Sequence, residues 1–269
     1  MKLSKTRIMT ESAILLAIAT VLSIIVLLSL PYGGSVTLAS MVPIMIISYR
    51  HGLKIGLLSS FVFAVIQQLL GLKTLSYVTT WQSILAVILL DYIIAYLVIG
   101  LAGIFRKTIK NQAMSLVLGG LFVCVLRYIC HVISGATVWA GISIPTLGAT
   151  IYSLSYNATY MIPETIVSLV VAYFLGSSLD FNREMPITLK KDKDRKINVF
   201  SIIAGLIAAA AVVVDAILIF ANLQDPETGE FYIQGLSNAN WPLIGIITGG
   251  ALIVSAVLFI IGKKVCKKD

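Results

Sequence analysis

Long apolar stretches alternate with short polar or charged segments along the whole chain. An α-helix rises 1.5 Å per residue, and about 20 apolar residues cross the hydrocarbon core of a bilayer. The pattern therefore predicts an all-α fold, a polytopic membrane helix bundle with eight helices. The predicted helices, numbered 1 to 8 in chain order, are Thr10–Leu30, Thr37–Tyr49, Ile55–Leu70, Thr80–Phe105, Ala113–Ser134, Ile151–Gly176, Val199–Ala221 and Trp241–Gly262.

Two of these predictions have distinctive features. Helix 1 is predicted to end at the run Pro31-Tyr32-Gly33-Gly34, since proline and glycine together break regular structure. Helix 2 covers only about 20 Å, which is short for a full membrane span. We therefore expect it to be tilted or partly buried among its neighbours.

The composition supports a membrane protein. Charged residues make up 12% of the chain and the mean hydropathy is +0.98, whereas about 25% of the residues of a soluble domain are charged. The sequence contains no phosphate-binding loop, no zinc-ligand spacing and no nucleophile elbow, and its three cysteines have no metal spacing. We therefore expect that the chain is not an enzyme, hydrolyses no ATP by itself, and needs no metal or cofactor.

The positive charges predict a topology. A net charge of +8 could indicate a nucleic-acid partner, but 18 of the 20 Lys and Arg residues lie in the terminal segments and in alternate loops. Cytoplasmic segments of membrane proteins carry such an excess. We expect no nucleic-acid partner, a multi-pass protein of the cell membrane, and both termini in the cytoplasm.

Ionisable residues within the apolar stretches mark a candidate site. Asp91 lies deep in helix 4, and Arg127 and His131 lie four residues apart on one face of helix 5. In helix 6, Glu164 shares a face with Asn157. A charged residue at the centre of a membrane helix costs about 2.5–3.5 kcal/mol even on insertion scales, so such residues face a partner, a cavity or a ligand.

Aromatic and amide side chains near these groups favour a flat, cationic ligand. A carboxylate neutralises a cation, aromatic faces attract it, and an asparagine side chain can read the edge of a heterocycle. The predicted topology places this cluster at the outer face. Three alternatives stay open: Asp91 could pair with Arg127 for structural reasons alone, and the chain could be a channel or a scaffold rather than a substrate-binding protein.

Three sequence runs resemble one known family. They are DYIIAYLVIGLAG from Asp91, RYICHVISGATVWAG from Arg127 and YSLSYNATYMIPE from Tyr152, and they look like the thiamine-specific S component of energy-coupling factor (ECF) transporters. The likeness covers about Ser4 to Leu179. It implies a six-helix S-component core that captures thiamine outside the cell. It also implies delivery inward with a transmembrane coupling protein and two cytoplasmic ATPases.

The resemblance also implies roles for particular residues. Asp91 matches a carboxylate that faces the thiazolium ring, although the family can have the longer glutamate there. His131 and Trp139 match the pair that holds this ring. Tyr152 and Asn157 match residues that contact the pyrimidine ring.

Further binding residues are implied in the same way. Gly135 matches a position that leaves room for the ligand, and Arg127 matches a basic position near the outer end of the site. Trp81 stands where the family can have tyrosine. Tyr32 matches an aromatic residue of the first loop, and Tyr92, next to Asp91, is included among the expected binding residues.

The two ends of the chain carry separate expectations. Ala13 and Ala17 form a small-xxx-small pair in helix 1, which permits close approach of another helix, and they match the motif that docks on the coupling protein. The resemblance ends before helices 7 and 8. We therefore predict a substrate-binding membrane domain at 1–180, a charged cytoplasmic linker at 181–197 and a two-helix transmembrane appendage at 198–269.

Two rival functions remain at this point. The chain could be an S component for another vitamin. It could also be a stand-alone carrier or channel, in which the intramembrane ionisable residues relay protons.

Overall fold

The computed structural model of the protein describes residues 4–139, 144, 146–184, 187–188, 199–223 and 233–268. Seven of its helices are long and apolar enough to cross a membrane, and a shorter helix, α2, lies among them. The prediction of a polytopic helical membrane bundle is confirmed. The helices are α1 Lys5–Ile24, α2 Val42–His51, α3 Leu53–Leu70, α4 Trp81–Lys107, α5 Gln112–Thr137, α6 Leu147–Ser178, α7 Val199–Phe220 and α8 Trp241–Lys268.

A β-hairpin between α1 and α2 corrects the predicted end of helix 1 and the predicted start of helix 2, which begins at Val42 instead of Thr37. Helix 1 was expected to continue to Leu30, but α1 ends at Ile24 and strand β1, Val26–Ser29, follows it. Strand β2, Ser35–Thr37, pairs antiparallel with β1. The tight turn between them brings two extended segments side by side, so that their backbone groups are satisfied by pairing rather than by a helix. A second short hairpin, β3 Leu179–Asp180 and β4 Ile187–Thr188, follows α6.

Helix α2 is the centre of the main apolar core. Every residue from Val42 to Arg50 is buried, as expected for a helix too short to span the membrane alone. Ser48 ties α2 to α4, because its Oγ donates to the Gly100 carbonyl at 2.5 Å and accepts from the Gly103 N–H at 2.9 Å. A Cβ atom at Gly100 would lie 2.6 Å from backbone atoms of Leu57, so glycine permits α3 and α4 to touch at this point.

Helix α4 is irregular along its length. It is α-helical over Trp81–Val87, π-helical over Ile88–Ile94 and wound as a 3₁₀-helix over Val98–Lys107. A π-helical turn within an α-helix is rare and is frequently found at a functional site. Asp91 lies within the π-helical segment.

The last two helices pack chiefly against each other. Ser255 of α8 donates to the Ala204 carbonyl of α7 at 2.9 Å, and Thr248 of α8 donates to the Asp215 carboxylate of α7 at 2.5 Å. Helix α7 also packs against α6 and touches β1. The expected linker at 181–197 falls largely outside the described residues, so the division into domains stays a prediction.

Candidate binding site

A cavity of about 390 Å³ lies between α4, α5, α6 and the β1–β2 hairpin. That volume is within the range typical of small-molecule sites. All but one of the binding residues predicted from the sequence line this cavity: Tyr32, Asp91, Tyr92, Arg127, His131, Gly135, Trp139, Tyr152 and Asn157.

Trp81 is the exception. It begins α4, but its side chain is 70% exposed and it does not line the cavity. The family resemblance placed Trp81 among the binding residues, and regular α-helical spacing would put it on the same face as Asp91. The π-helical turn between them changes the angular relation of the two positions, since each turn holds more residues there.

The Asp91 carboxylate connects three side chains of α5 and of the residues that directly follow it. Its Oδ1 lies 2.8 Å from His131 Nδ1, and its Oδ2 accepts from Ser134 Oγ at 2.5 Å and from Trp139 Nε1 at 3.1 Å. A histidine bonded to a carboxylate through Nδ1 carries a proton there, which leaves Nε2 as an acceptor when the ring is neutral. His131 Nε2 is buried without a hydrogen-bond partner among the described residues. Asp91 thus fixes the orientation of both rings.

Arg127 occupies a different part of the cavity wall. Its guanidinium lies 4.3 Å from the centre of the Tyr96 ring, and its NH1 is 3.2 Å from Met41 Sδ. The side chain is 7% exposed, its Nε has no partner among the described residues, and no described carboxylate forms an ion pair with it. The structure therefore does not pair Arg127 with Asp91, which was the structural alternative considered for these two residues.

Asn157 is held by hydrogen bonds on both sides of its amide. Its Nδ2 donates to the Ser153 carbonyl at 2.8 Å and to the His131 carbonyl at 3.3 Å, and its Oδ1 accepts from the Tyr160 hydroxyl at 2.7 Å. Gly135 brings α5 close to this point, because a Cβ atom there would collide with Ser153 Oγ. Gly135 consequently permits close packing of α5 against α6, in addition to the room that it is expected to leave for a ligand.

The β1–β2 hairpin supplies one wall of the cavity through its turn. Tyr32 has a left-handed backbone with φ 62°, and its ring meets those of Tyr77, Trp139 and Tyr156 at centroid distances of 5.3, 6.2 and 6.4 Å. The Gly34 N–H donates to the Tyr156 hydroxyl at 3.1 Å. These contacts join the turn of the hairpin to α6.

A buried glutamate anchors the hairpin below this turn. Glu164 is 2% exposed and accepts from the Thr37 N–H at 2.5 Å and from Thr37 Oγ1 at 2.7 Å. The sequence singled out Glu164 for its position on the face of Asn157. In the structure it holds strand β2 against α6 and does not line the cavity.

Several aromatic residues of the wall were missed by the sequence reasoning. Tyr77, Tyr96, Tyr156 and Tyr160 all line the cavity. A signal for three of them exists, because tyrosines recur at four-residue spacing in α4 and in α6, which places them on one helical face. The Tyr92 and Tyr96 rings are stacked at 6.4 Å, as are those of Tyr152 and Tyr156 at 6.3 Å.

Ala13 and Ala17 lie away from the cavity. Both are exposed on α1, a helix with few buried residues. They leave a surface of α1 on which another helix could approach closely.

The fold and the cavity together define a class of protein: a multi-pass helical membrane protein with a small-molecule binding site between its helices. Within that class, the chain belongs to the thiamine transporter protein family (Thia_YuaJ), whose model matches residues 9–182. The chain is also 36% identical to the thiamine transporter ThiT of Bacillus subtilis (strain 168) over 194 residues, which cover 68% of this chain and 94% of that protein. The family resemblance inferred from the three runs is confirmed, and membership of a transporter family supports the expectation that the chain is not an enzyme.

Proposed function

We propose that this protein is the high-affinity thiamine-binding subunit of an ECF-type uptake transporter in the cell membrane. It captures thiamine on the outer face and delivers it inward with a transmembrane coupling protein and two cytoplasmic ATPases. The observation that carries the proposal is the group formed by Asp91, His131 and Trp139 on one wall of the cavity. Membership of the thiamine transporter family supports thiamine as the substrate.

The geometry suits the chemistry of thiamine. The vitamin joins a permanently cationic thiazolium ring to a neutral aminopyrimidine ring. Asp91 supplies the compensating negative charge, while the faces of Trp139 and His131 hold the cationic ring. Each carboxylate oxygen has two lone pairs, so Asp91 keeps acceptor capacity beside its three bonds. Tyr152 and Asn157 contact the pyrimidine ring in this proposal.

The proposal assigns the parts of the chain to separate tasks. Residues 1–180 form the substrate-binding domain, 181–197 a cytoplasmic linker and 198–269 a two-helix appendage, with both termini in the cytoplasm. The positions of the cavity residues support this division, because no described residue that lines the cavity belongs to α7 or α8. The sequence holds no phosphate-binding loop, so ATP hydrolysis is assigned to partner subunits.

Thiamine is expected to stabilise the purified chain selectively. A ligand that binds only the native state adds about 2.7 kcal/mol to stability at a concentration of 100 times Kd. A thermal-shift comparison of thiamine, riboflavin and biotin measures this effect, and only thiamine should raise the melting temperature. A rise with another vitamin in place of thiamine contradicts the substrate assignment. Uptake by the chain alone in vesicles, driven by a pH gradient, contradicts the need for ATPase partners.

The exposed alanines of α1 give a test of the coupling step. Changing both Ala13 and Ala17 to Leu should abolish thiamine uptake by cells, because the larger side chains prevent close approach of a partner helix. Binding of thiamine to the purified variant should be unchanged. The matched control is Ala210→Leu, at an exposed position of α7, which should preserve uptake. Loss of binding in the double variant would show instead that this surface packs within the subunit.

A further inference from the structure

An apolar cluster connects the end of α7 to the β1–β2 hairpin. The cluster joins three parts of the fold: the last turns of α7, the hairpin, and the segment of α6 behind the cavity. The partly buried rings of Tyr32 and Tyr156, which line the cavity, pack against it. Its buried members are Leu28, Leu30, Val36, Tyr160, Met161, Ala216, Phe220 and Leu223.

The hairpin is held differently on its two sides. On the α6 side, Thr37 donates two hydrogen bonds to Glu164, and the Gly34 N–H donates to Tyr156. On the α7 side the contacts are apolar, and Phe220 and Leu223 are 7% and 3% exposed. The strands alone form only a two-stranded ribbon, which is marginally stable without packing. The position of the hairpin thus depends on both neighbours.

The conformation at the hairpin turn makes this support more important. Tyr32 has φ 62°, a left-handed conformation that residues other than glycine seldom adopt. Such a conformation persists only where the surrounding structure holds it. The turn that contains Tyr32 is part of the cavity wall, and the Tyr32 ring packs against Trp139, which donates to Asp91. Release of the hairpin would therefore open that wall.

Helix α7 lies outside the part of the chain that the family model matches. The family match ends at residue 182, before α7 begins at Val199. The cavity lies within the matched part, whereas the apolar side of its hairpin is covered by a helix from the unmatched part. Close apolar packing of this kind stabilises the covered arrangement through the sum of many van der Waals contacts.

We propose that Phe220 and Leu223 are positioning residues, which hold the hairpin closed over the cavity and slow the release of bound thiamine. This inference rests on the proposed function for the identity of the ligand. The two residues touch no ligand themselves, since neither lines the cavity. They act through Leu28, Leu30 and Val36 on the hairpin.

The expected result is faster release in Phe220→Ala. The rate constant for thiamine dissociation, measured on the purified full-length protein by stopped-flow fluorescence, should rise about five-fold or more, because differences between related complexes are expressed mainly in dissociation. Leu223→Ala should act in the same direction. Phe220→Leu keeps an apolar side chain of similar reach, so it should restore most of the slow release. Amide hydrogen exchange within residues 26–37 should be faster in Phe220→Ala than in the wild type.

Val213→Ala is the matched control. Val213 is also on α7, but it packs against the main core cluster and not against the hairpin cluster. This variant should lower the melting temperature and leave both thiamine dissociation and hairpin exchange within about two-fold of the wild type, since distant sites act independently.

The outcomes separate this inference from the proposed function. If wild-type protein binds thiamine and both alanine variants release it at the wild-type rate with unchanged hairpin exchange, the positioning role is wrong. The role is also wrong if Val213→Ala speeds release as much as Phe220→Ala. If the wild-type protein does not bind thiamine, the proposed function fails, while hydrogen exchange still shows whether α7 holds the hairpin. Should Phe220→Ala not fold, Leu223→Ala and Phe220→Leu provide the same comparison.

Discussion

Asp91→Asn will weaken thiamine binding by about 30-fold or more. The carboxylate is the negative group placed beside the two rings that are proposed to hold the thiazolium. Truncating one partner of a buried, hydrogen-bonded charge pair costs roughly 2–5 kcal/mol, and each 1.4 kcal/mol is a factor of ten in Kd. Isothermal titration of the purified variant measures the change.

A neutral analogue of thiamine separates charge from shape in this experiment. The wild type should prefer thiamine over an analogue of the same shape with an uncharged ring in place of the thiazolium, and Asp91→Asn should lose most of that preference. Asp215→Asn is the control, because Asp215 is an intramembrane carboxylate of α7 that does not line the cavity. If folded Asp91→Asn retains the wild-type preference, Asp91 does not read the charge of the ligand.

Trp139→Ala is expected to weaken binding by at least about 30-fold. An aromatic face over a desolvated cation contributes about 2 kcal/mol or more, and 1.4 kcal/mol corresponds to a factor of ten. Trp139→Phe should have a smaller effect, because it keeps an aromatic face for the cation. It loses only the hydrogen bond from Nε1 to Asp91. Titration with thiamine gives Kd for each variant.

Two other tryptophans provide the comparison. Trp241→Ala, on α8 and away from the cavity, should change Kd by less than about three-fold, since distant surface positions rarely influence a site. Trp81→Ala should behave like Trp241→Ala, because Trp81 is exposed and does not line the cavity. An effect below three-fold for Trp139→Ala would mean that Trp139 is an interfacial anchor rather than a binding residue.

The helices and most of the cavity could be predicted because their signals are local. A long apolar stretch predicts a membrane helix wherever it occurs, and four-residue spacing places Arg127 and His131 on one face. Asp91 lies deep within such a stretch. The free energy required to place a charge there was enough to predict a buried polar contact for it. Trp139 and Tyr32 were predicted as binding residues from the family resemblance. Neither helical spacing nor the free energy of burying a charge identifies them.

The hairpin and the tyrosines could not be predicted in this way. Val26–Ser29 is apolar and continuous with α1 in the sequence, so nothing local separates a strand from a further helical turn there. The strand forms because Ser35–Thr37 returns beside it and Glu164, far along the chain, fixes Thr37. Likewise, the helical spacing of Tyr96 and Tyr160 fits a cavity wall and ordinary helix packing equally well. Only the contacts with neighbouring helices decide between these two interpretations.

The irregular winding of α4 sets the angle between two halves of the helix that have different tasks. One half of α4 carries Asp91 at the cavity, and the other half carries Gly100 and Gly103 against α2. Each residue of an α-helix turns by about 100°. A π-turn holds about one residue more than an α-turn, so removing one residue from Ile88–Ile94 would restore regular winding and leave the two halves nearly in register. Removing one residue from the regular helix at Ala95–Leu97 would instead rotate one half by about 100° against the other. A single-residue deletion at Ala95–Leu97 would separate the carboxylate from its partners even where every remaining side chain is unchanged, so the chain length between Asp91 and Gly100 is itself a determinant of the site.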